Sequence, residues 1–443
     1  MGSGGRVSDD ALKVSGQSFL LGSQHALAAV GGIIAAPLII AMGMGLSASQ
    51  TSYLISAALV ISGLATVLQI VRVGPLGSGL LSLQGTSFAF VGPLIFLYHG
   101  LAENHSSDEA LGILFGSALV CAGVMIVLTT FVKTLRQLIT SNVSGLTLVL
   151  IGGSLMEMTA LSLFDTYTGA AAPESFLWVC GITLVTLLGL TLAPRLRMVA
   201  ILIGLVFGTL AASFFGWVDA ASLNFSSAVF LPKLMPFGFG IDWTVVVILF
   251  PIFLVSATES IGDLTATNAL SGHPYGDAAY WYRLRGGLMG DAMNSALASI
   301  FGAFPNTTFS QNNGLIRLSG ESRPTIGLYA AALLCLLGLM PILAEAIQLI
   351  PEPVISTVTF ILFSLVAWAG LQVFKSNAHS WRCGSIFIGG LIGGYWVADR
   401  VDTWTSLPAL LIQVLAFPVS TGAFIGLLLE AILPGRTRAP NAR

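Results

Sequence analysis

Two carboxylates four residues apart sit deep in an apolar stretch: Glu259 and Asp263, in VSATESIGDLTAT. That spacing puts both on one face of a helix. A charge buried in a membrane span costs about 2.5–3.5 kcal/mol on insertion scales, so its retention there points to function. One carboxylate can accept hydrogen bonds from a ligand while the other pairs with neighbouring dipoles. The bland alternative is a carboxylate that caps a buried backbone break, and for Asp263 it weighs about as much as the functional one. Asp291 stands in RGGLMGDAMNSALASIFG, among small residues that signal close helix contact, and reads as a structural hydrogen-bonding group. His25, beside Ser23 and Gln24 in LLGSQHALAAVGG, is either a satisfied core residue or a support for a nearby site. Glu157, Glu345 and Glu430 lie nearer the ends of apolar stretches and are expected to reach interfacial water. His99, His105, His273 and His379 read as loop or interface residues.

No metal site is expected. The sequence holds no HExxH, Walker loop or GxSxG elbow, and Cys121, Cys180, Cys335 and Cys383 are not spaced as metal pairs but sit in or beside apolar segments as small hydrophobes. An intramembrane enzyme would need a nucleophile–base pair or a metal cluster, and neither spacing occurs. The expectation is therefore a chain that is not an enzyme.

These residues need a membrane scaffold. Of 443 residues, 55% are hydrophobic and only 9% charged, and the mean hydropathy is +0.89. An ordinary soluble domain carries about 25% charged residues, so a cytosolic enzyme and a disordered chain are excluded. A net charge of −2 offers no basic field for nucleic acid. The polar start, MGSGGRVSDD, lacks the apolar core of a secretory signal. A membrane helix needs about 20 mostly apolar residues. Candidate spans fall near 17–43, 48–70, 79–99, 109–131, 141–163, 176–194, 198–216, 242–266, 285–304, 306–319, 324–345, 353–373, 382–398 and 407–434, which makes fourteen.

The basic residues test that count independently, because cytoplasmic loops are enriched in Lys and Arg. With the N-terminus inside, Arg6, Lys13, Arg72, Lys133, Arg136, Arg195, Arg197, Arg283, Arg285, Arg317, Arg323, Lys375, Arg382, Arg436, Arg438 and Arg443 fall on the inner side. Only Lys233 and Arg400 fall outside, so the split is 16 of 18. The count therefore requires both irregular segments, 79–99 and 306–319, to cross, and both termini to be cytoplasmic.

The irregular segments share a short pattern, Thr86-Ser87-Phe88 and Thr307-Thr308-Phe309, offset by 221 positions (307 − 86). That offset is half the chain. With fourteen crossings it predicts two seven-helix halves, the second inverted because seven is odd, as in secondary transporters with discontinuous helices. Gly74, Pro75, Gly77 and Gly79 start a regular helix poorly. An extended stretch over 80–84 is expected, with a half-helix beginning near Thr86 and running outward. In the second crossing, Pro305 to Ser310 is expected extended and a half-helix begins near Gln311. Two helix N-termini, each with unpaired N–H groups and partial positive charge, then face each other in mid-membrane. Such backbone must line an enclosed cavity. The fold class expected is an all-α polytopic membrane protein with short strands in its third and tenth spans.

Gln24-His25, Gln84-Gly85-Thr86-Ser87-Phe88, Glu259-Ser260-Ile261-Gly262-Asp263 with Thr265-Ala266-Thr267, and Thr307-Thr308-Phe309-Ser310-Gln311-Asn312-Asn313-Gly314 resemble the nucleobase–ascorbate transporter family, or nucleobase:cation symporters. The similarity runs from about residue 15 to 434 and is nearest to bacterial xanthine and urate permeases. The resemblance implies a core domain over 15–131 and 242–345 that holds substrate. It also implies a gate domain over 141–216 and 353–434 that makes the homodimer contact. The core slides against the gate like an elevator, in a bacterial inner membrane, with the proton as coupling ion and no other cofactor.

Residue by residue, the resemblance gives Glu259 the ring N–H groups of a base and Gln311 its carbonyl and N–H edge. Ser87 and Phe88 match a third-span site where the ring stacks, and Phe309 and Ser310 match the entry of the tenth span into the site. His25, Asp263, Asn312 and Asp291 match positions tied to coupling or site architecture. Ser87 departs from the Asn of xanthine-specific relatives, and Ser319 from the usual Thr, so the base preferred is left open between xanthine and urate. The expected activity is proton-coupled uptake of a purine base. The alternatives are symport of uracil or another nucleobase, or an anion carrier of the same fold; Glu259 in the pocket weighs against an anionic cargo. Protonation of Glu259 or Asp263 would neutralise the core and let it move.

Overall fold

The computed structural model describes residues 16–434 apart from 133–139, 171–172, 194–199, 219–228, 378–380, 405–406, 408–410 and 413–414. Arg6, Lys13, Lys133, Arg136, Arg195, Arg197, His379, Arg436, Arg438 and Arg443 lie outside the described residues.

The chain opens with α1 (Gly16–Gly43), which carries Pro37 within it, and α2 (Ala48–Val71). Ser47 caps α2 in a reciprocal capping box with Gln50, satisfying two N–H groups that the first turn leaves free. After a glycine-rich reversal comes strand β1 (Gln84–Thr86), a 3-10 turn (Phe88–Phe90) and α3 (Val91–Ala102). The first half continues with α4 (Ser107–Leu128), α5 (Ser141–Gly169), α6 (Pro173–Leu192) and α7 (Ala200–Phe214). The second half also opens with two helices and a short strand. It has α8 (Trp243–Leu270), α9 (Ala278–Ile300), strand β2 (Asn306–Thr308), α10 (Gln311–Ser319), α11 (Pro324–Gly338), α12 (Pro341–Gln348), α13 (Glu352–Asn377), α14 (Trp381–Arg400) and α15 (Pro418–Ile432). Among the described residues, seven helices are long and apolar enough to cross a membrane. The protein is a multi-pass membrane protein.

The packing pairs are exchanged between the halves. α2 packs on α11 as α9 packs on α4; α1 meets α11 as α8 meets α4; α6 lies on α7 as α14 lies on α15. Where the halves join, α5 packs along α13 and β1 pairs with β2. Small residues allow the α5–α13 approach: a Cβ on Gly152 would lie 2.7 Å from the Ala367 side chain, and one on Gly370 would lie 2.6 Å from the Gly145 carbonyl.

The two strands run antiparallel, with Gln84 opposite Thr308, Gly85 opposite Thr307 and Thr86 opposite Asn306. The ladder continues at both ends: the Ser87 N–H donates to Pro305 O (3.0 Å) and the Phe309 N–H to Leu83 O (2.9 Å). Deep in an apolar body, backbone groups outside a helix must find such partners.

Several elements differ from the sequence expectation. The first half-helix starts at Phe88 rather than Thr86, because residues up to Ser87 are held in the ladder; the Ser87 hydroxyl then accepts from the Ala89 N–H (3.3 Å). The expected span 324–345 breaks in two: α11 ends at Gly338 and α12 starts at Pro341. Of the span 407–434, α15 occupies Pro418–Ile432 and starts at a proline. Glu430 does not reach interfacial water. It is buried at 2% exposure and pairs with Arg382 at 2.9 Å, and Arg382 is likewise buried rather than in an open loop. Arg382 also donates to Glu430 O (2.7 Å) and Leu433 O (3.2 Å), carbonyls that the end of α15 leaves free. The four cysteines form no disulfide; Cys121 and Cys383 are buried and Cys180 and Cys335 partly so.

Candidate functional site

A cavity opens where the strands meet α8. Its lining comes from the 3-10 turn (Phe88, Ala89), α8 (Glu259), β2 and the start of α10 (Thr307, Thr308, Phe309, Ser310, Gln311). The opposite wall is aliphatic, with Leu148 and Ile151 from α5 and Leu362 and Val366 from α13. The space is about 500 Å³, part of it open to solvent.

Neighbouring strand residues point to opposite faces, and β2 uses both. Thr307 turns to α8, where its hydroxyl lies 3.1 Å from that of Ser260, next to Glu259. Thr308 turns to α9 and donates to the Asp291 carboxylate (3.1 Å to Oδ2). Gln84 donates to the Thr308 hydroxyl (3.0 Å), and Gln69 of α2 donates to Asp291 (3.3 Å) and Gly287 O (3.2 Å). Asp291 therefore braces the strand pair from α9 and does not line the cavity.

The other residues singled out in the sequence divide in the same way. Glu259, Gln311, Phe88, Phe309 and Ser310 line the cavity. Ser87 is fully buried and spends its hydroxyl on the turn, outside the lining. Asn312 donates to Leu81 O (2.6 Å), tying the first turn of α10 to the chain before β1. His25, 1% exposed, lies beside the Asn312 amide, with neither ring nitrogen in hydrogen-bond geometry. Asp263 stands one turn beyond Glu259. Its carbonyl accepts from Asn313 Nδ2 (3.3 Å), whose Oδ1 accepts from Thr267 (2.6 Å), while Asp263 Oδ2 is buried with no partner.

Sequence reasoning missed two glycines and one wall. A Cβ on Gly85 would sit 2.5 Å from Phe309 Cζ, and one on Gly32 of α1 3.0 Å from Phe309 Cε2 and 3.9 Å from Gln311 Nε2. Both glycines let the Phe309 ring seat beside Gln311. Gly85 stands inside a motif already singled out. Leu148, Ile151, Leu362 and Val366 carry no sequence signal among so many aliphatic residues. Among the described residues, no group of three or more His, Cys, Asp or Glu could hold a metal ion.

The cavity thus offers an acceptor carboxylate, an amide that both donates and accepts, aromatic rings and the N-terminus of α10, where Ser310 supplies no side-chain cap. This set suits a small flat molecule with alternating N–H and C=O groups.

Comparison with known proteins gives the same direction. The model of a permease family, Xan_ur_permease, matches residues 16–392. Xanthine permease XanP of Escherichia coli K12 is 31% identical over 427 residues, covering 94% of this chain and 92% of that protein. Xanthine permease XanQ of the same organism is 33% identical over 427 residues, covering 94% and 91%. The uric acid–xanthine permease of Emericella nidulans is 27% identical over 479 residues, covering 96% and 82%. Among solved structures, the transmembrane domain of the cyanobacterial bicarbonate transporter BicA superposes with a TM-score of 0.58 at 13% identity, covering 94% of this chain and 98% of that one. SLC26A9 superposes with a TM-score of 0.62 at 11% identity, covering 93% and 65%. At that identity the likeness is one of fold.

Proposed function

Given that this chain belongs to the nucleobase–ascorbate transporter family of permeases, and is a transporter rather than an enzyme, we propose that it carries a purine nucleobase, xanthine or urate, into the cell together with protons. The observation that carries this reading is the convergence of Glu259 and Gln311 on one cavity with Phe88 and Phe309. In this reading an oxopurine stacks on a phenylalanine ring, gives its ring N–H groups to Glu259, and presents its carbonyl edge to Gln311 at the N-terminal end of α10. A site built on hydrogen bonds rejects analogues that leave its buried polar groups unpaired. The bicarbonate transporter BicA and the anion transporter Slc26a9 share the fold at 13% identity, and that likeness carries no substrate over to this chain.

The fourteen-span arrangement in two inverted halves belongs to the same proposal, and the exchanged packing pairs support it. Residues 15–131 and 242–345 form the moving core and 141–216 and 353–434 the gate. The gate supplies the aliphatic wall of the cavity and the homodimer contact. Both termini face the cytoplasm of a bacterial cell, and the inner membrane holds the protein. Protonation of Glu259 or Asp263 neutralises the core for movement, with His25, Asn312 and Asp291 supporting the site. One proton moving with the membrane potential gains about 2.3 kcal/mol per 100 mV, enough for roughly fortyfold accumulation of a neutral base.

Competition of radiolabelled xanthine uptake by urate, uracil, adenine and guanine tests the substrate class. Inhibition by urate alone among the four supports the proposal, and inhibition by uracil but not urate would redirect it to pyrimidines. A Glu259→Gln variant that still concentrates xanthine in a proton-dependent way would remove Glu259 from coupling.

A further inference from the structure

At the end of α2 the chain reverses sharply. Arg72 closes the helix with φ 61°, a left-handed conformation that among the described non-glycine residues only Met235 shares. The loop beyond is pinned: the Gly79 N–H donates to Gln69 O (3.0 Å) and the Gly77 N–H to Gly286 O of α9 (2.8 Å). A Cβ on Gly77 would lie 2.8 Å from Gln69 O and 3.2 Å from Arg72 Cα, so only glycine fits there. Glycine or asparagine would hold the Arg72 backbone at lower cost. An arginine in that conformation points to a use for its side chain.

The side chain is positioned but not satisfied. Its guanidinium carbon stands 3.8 Å from the centroid of the Tyr282 ring. The ring attracts the cation through its face but accepts nothing from the edge N–H groups, and Arg72 Nη2 is buried with no hydrogen-bond partner. The next residue of α9 is a second guanidinium, Arg283, which donates through Nε to Asn268 Oδ1 (2.9 Å). Neither arginine forms an ion pair among the described residues. Burial holds the Arg72 guanidinium below its ordinary range, Tyr282 opposes this, and the charge of Arg283 adds to it. His273 in the adjoining loop is also held below its ordinary value, by burial and by Arg283, with Asp277 opposing. Asp277 itself caps α9 by accepting from the Tyr280 N–H.

Two neighbouring guanidiniums with spare N–H groups and no carboxylate present the chemistry of a phosphate site. Tyr282 and Val73 beside them are 53% and 56% exposed. An aromatic and an apolar side chain left open at a helix end match a membrane–water boundary. We propose that Arg72 and Arg283 together bind a phosphate-type anion where α2 ends and α9 begins, supplied by the headgroup of an acidic phospholipid or by free phosphate. Tyr282 holds Arg72 in place for it, and the anion relieves the repulsion between the two arginines.

The test uses the full chain in nanodiscs of phosphatidylcholine, with and without phosphatidylglycerol. Native mass spectrometry reads the phosphatidylglycerol retained, and thermal shift in phosphatidylcholine alone reads stabilisation by inorganic phosphate. Arg72→Asn tolerates the positive φ and keeps the fold; Arg283→Gln is the second variant. Each is expected to weaken the anion about tenfold, the effect of losing one charge-assisted hydrogen bond. Loss of phosphatidylglycerol retention in both variants supports the site with a lipid as its source. Loss of the phosphate-induced shift in both supports it with a free anion as its source. Retention and shift that match the wild type in both variants would overturn it.

Discussion

Gly85 and Phe309, 224 positions apart in sequence, are in van der Waals contact through a gap that no side chain on Gly85 would leave: a Cβ there would sit 2.6 Å from Phe309 Cε1 and 2.5 Å from Cζ. Gly85 pairs with Thr307 in the strand ladder, so its backbone cannot back away. Gly85→Ala is therefore expected to push the Phe309 ring into the cavity. Overpacking of this kind costs about 1–3 kcal/mol, so the protein should still reach the membrane while xanthine uptake falls steeply. Normal uptake by the variant would show that Phe309 can move without loss.

Gln311 opens α10 and lines the cavity opposite the aliphatic wall. Gln311→Leu keeps the bulk and removes both the donor and the acceptor. A bound base would then carry an unpaired polar edge, at a cost of about 1–3 kcal/mol, or roughly tenfold to hundredfold in affinity. The measurement is the concentration of unlabelled xanthine that halves uptake of labelled xanthine. An unchanged value would take Gln311 out of recognition.

Asp291 accepts from Thr308 and Gln69 while lying outside the cavity lining. Asp291→Leu strands both donors in the interior, with an expected loss of about 2–5 kcal/mol in stability for the two together. It should lower the thermal midpoint in detergent. Asp291→Asn keeps an acceptor and should lose less. Equal midpoints for the wild type and the Leu variant would contradict the bracing role.

The Arg382–Glu430 pair joins the start of α14 to the end of α15. Removing one partner of a buried pair leaves an uncompensated charge and costs about 3–5 kcal/mol. Arg382→Met alone should therefore be the most damaging change here. Adding Glu430→Gln should recover part of the loss, though not the bonds from Arg382 to the carbonyls of Glu430 and Leu433. A double-mutant cycle on the thermal midpoint with no coupling between the two positions would rule out this account.

The chemistry of the cavity was largely readable in advance, and its walls were not. Glu259 stands out, with Asp263 one turn beyond it, because carboxylates are rare in an apolar chain and costly to bury, and Gln311 because its motif, Gln311-Asn312-Asn313-Gly314, resembles that of a known family. The strand breaks are announced by Gly and Pro and by a triplet repeated at half the chain length. The Arg382–Glu430 pair escaped notice because each residue, taken alone, resembles an ordinary charge at a span end; only the fold shows that the two meet. The bracing roles of Gln69 and Gln84 escaped for a similar reason, since each looks like a stray polar residue until β1 and β2 are side by side. Leu148, Ile151, Leu362 and Val366 are set apart only by where α5 and α13 cross.

The strand pair has a consequence for biogenesis. Gln84–Thr86 emerges from the ribosome long before Asn306–Thr308 exists to match it. During that interval its amides have no ladder, and hydrocarbon tolerates such a segment poorly. The nascent first half must therefore wait in a wet or chaperoned setting, such as the lateral mouth of the insertion machinery, until translation has passed residue 309. Ribosomes stalled just before and just after that point should differ sharply in whether the early segment resists a water-borne label on a cysteine placed at Thr86, which is buried in the paired strands.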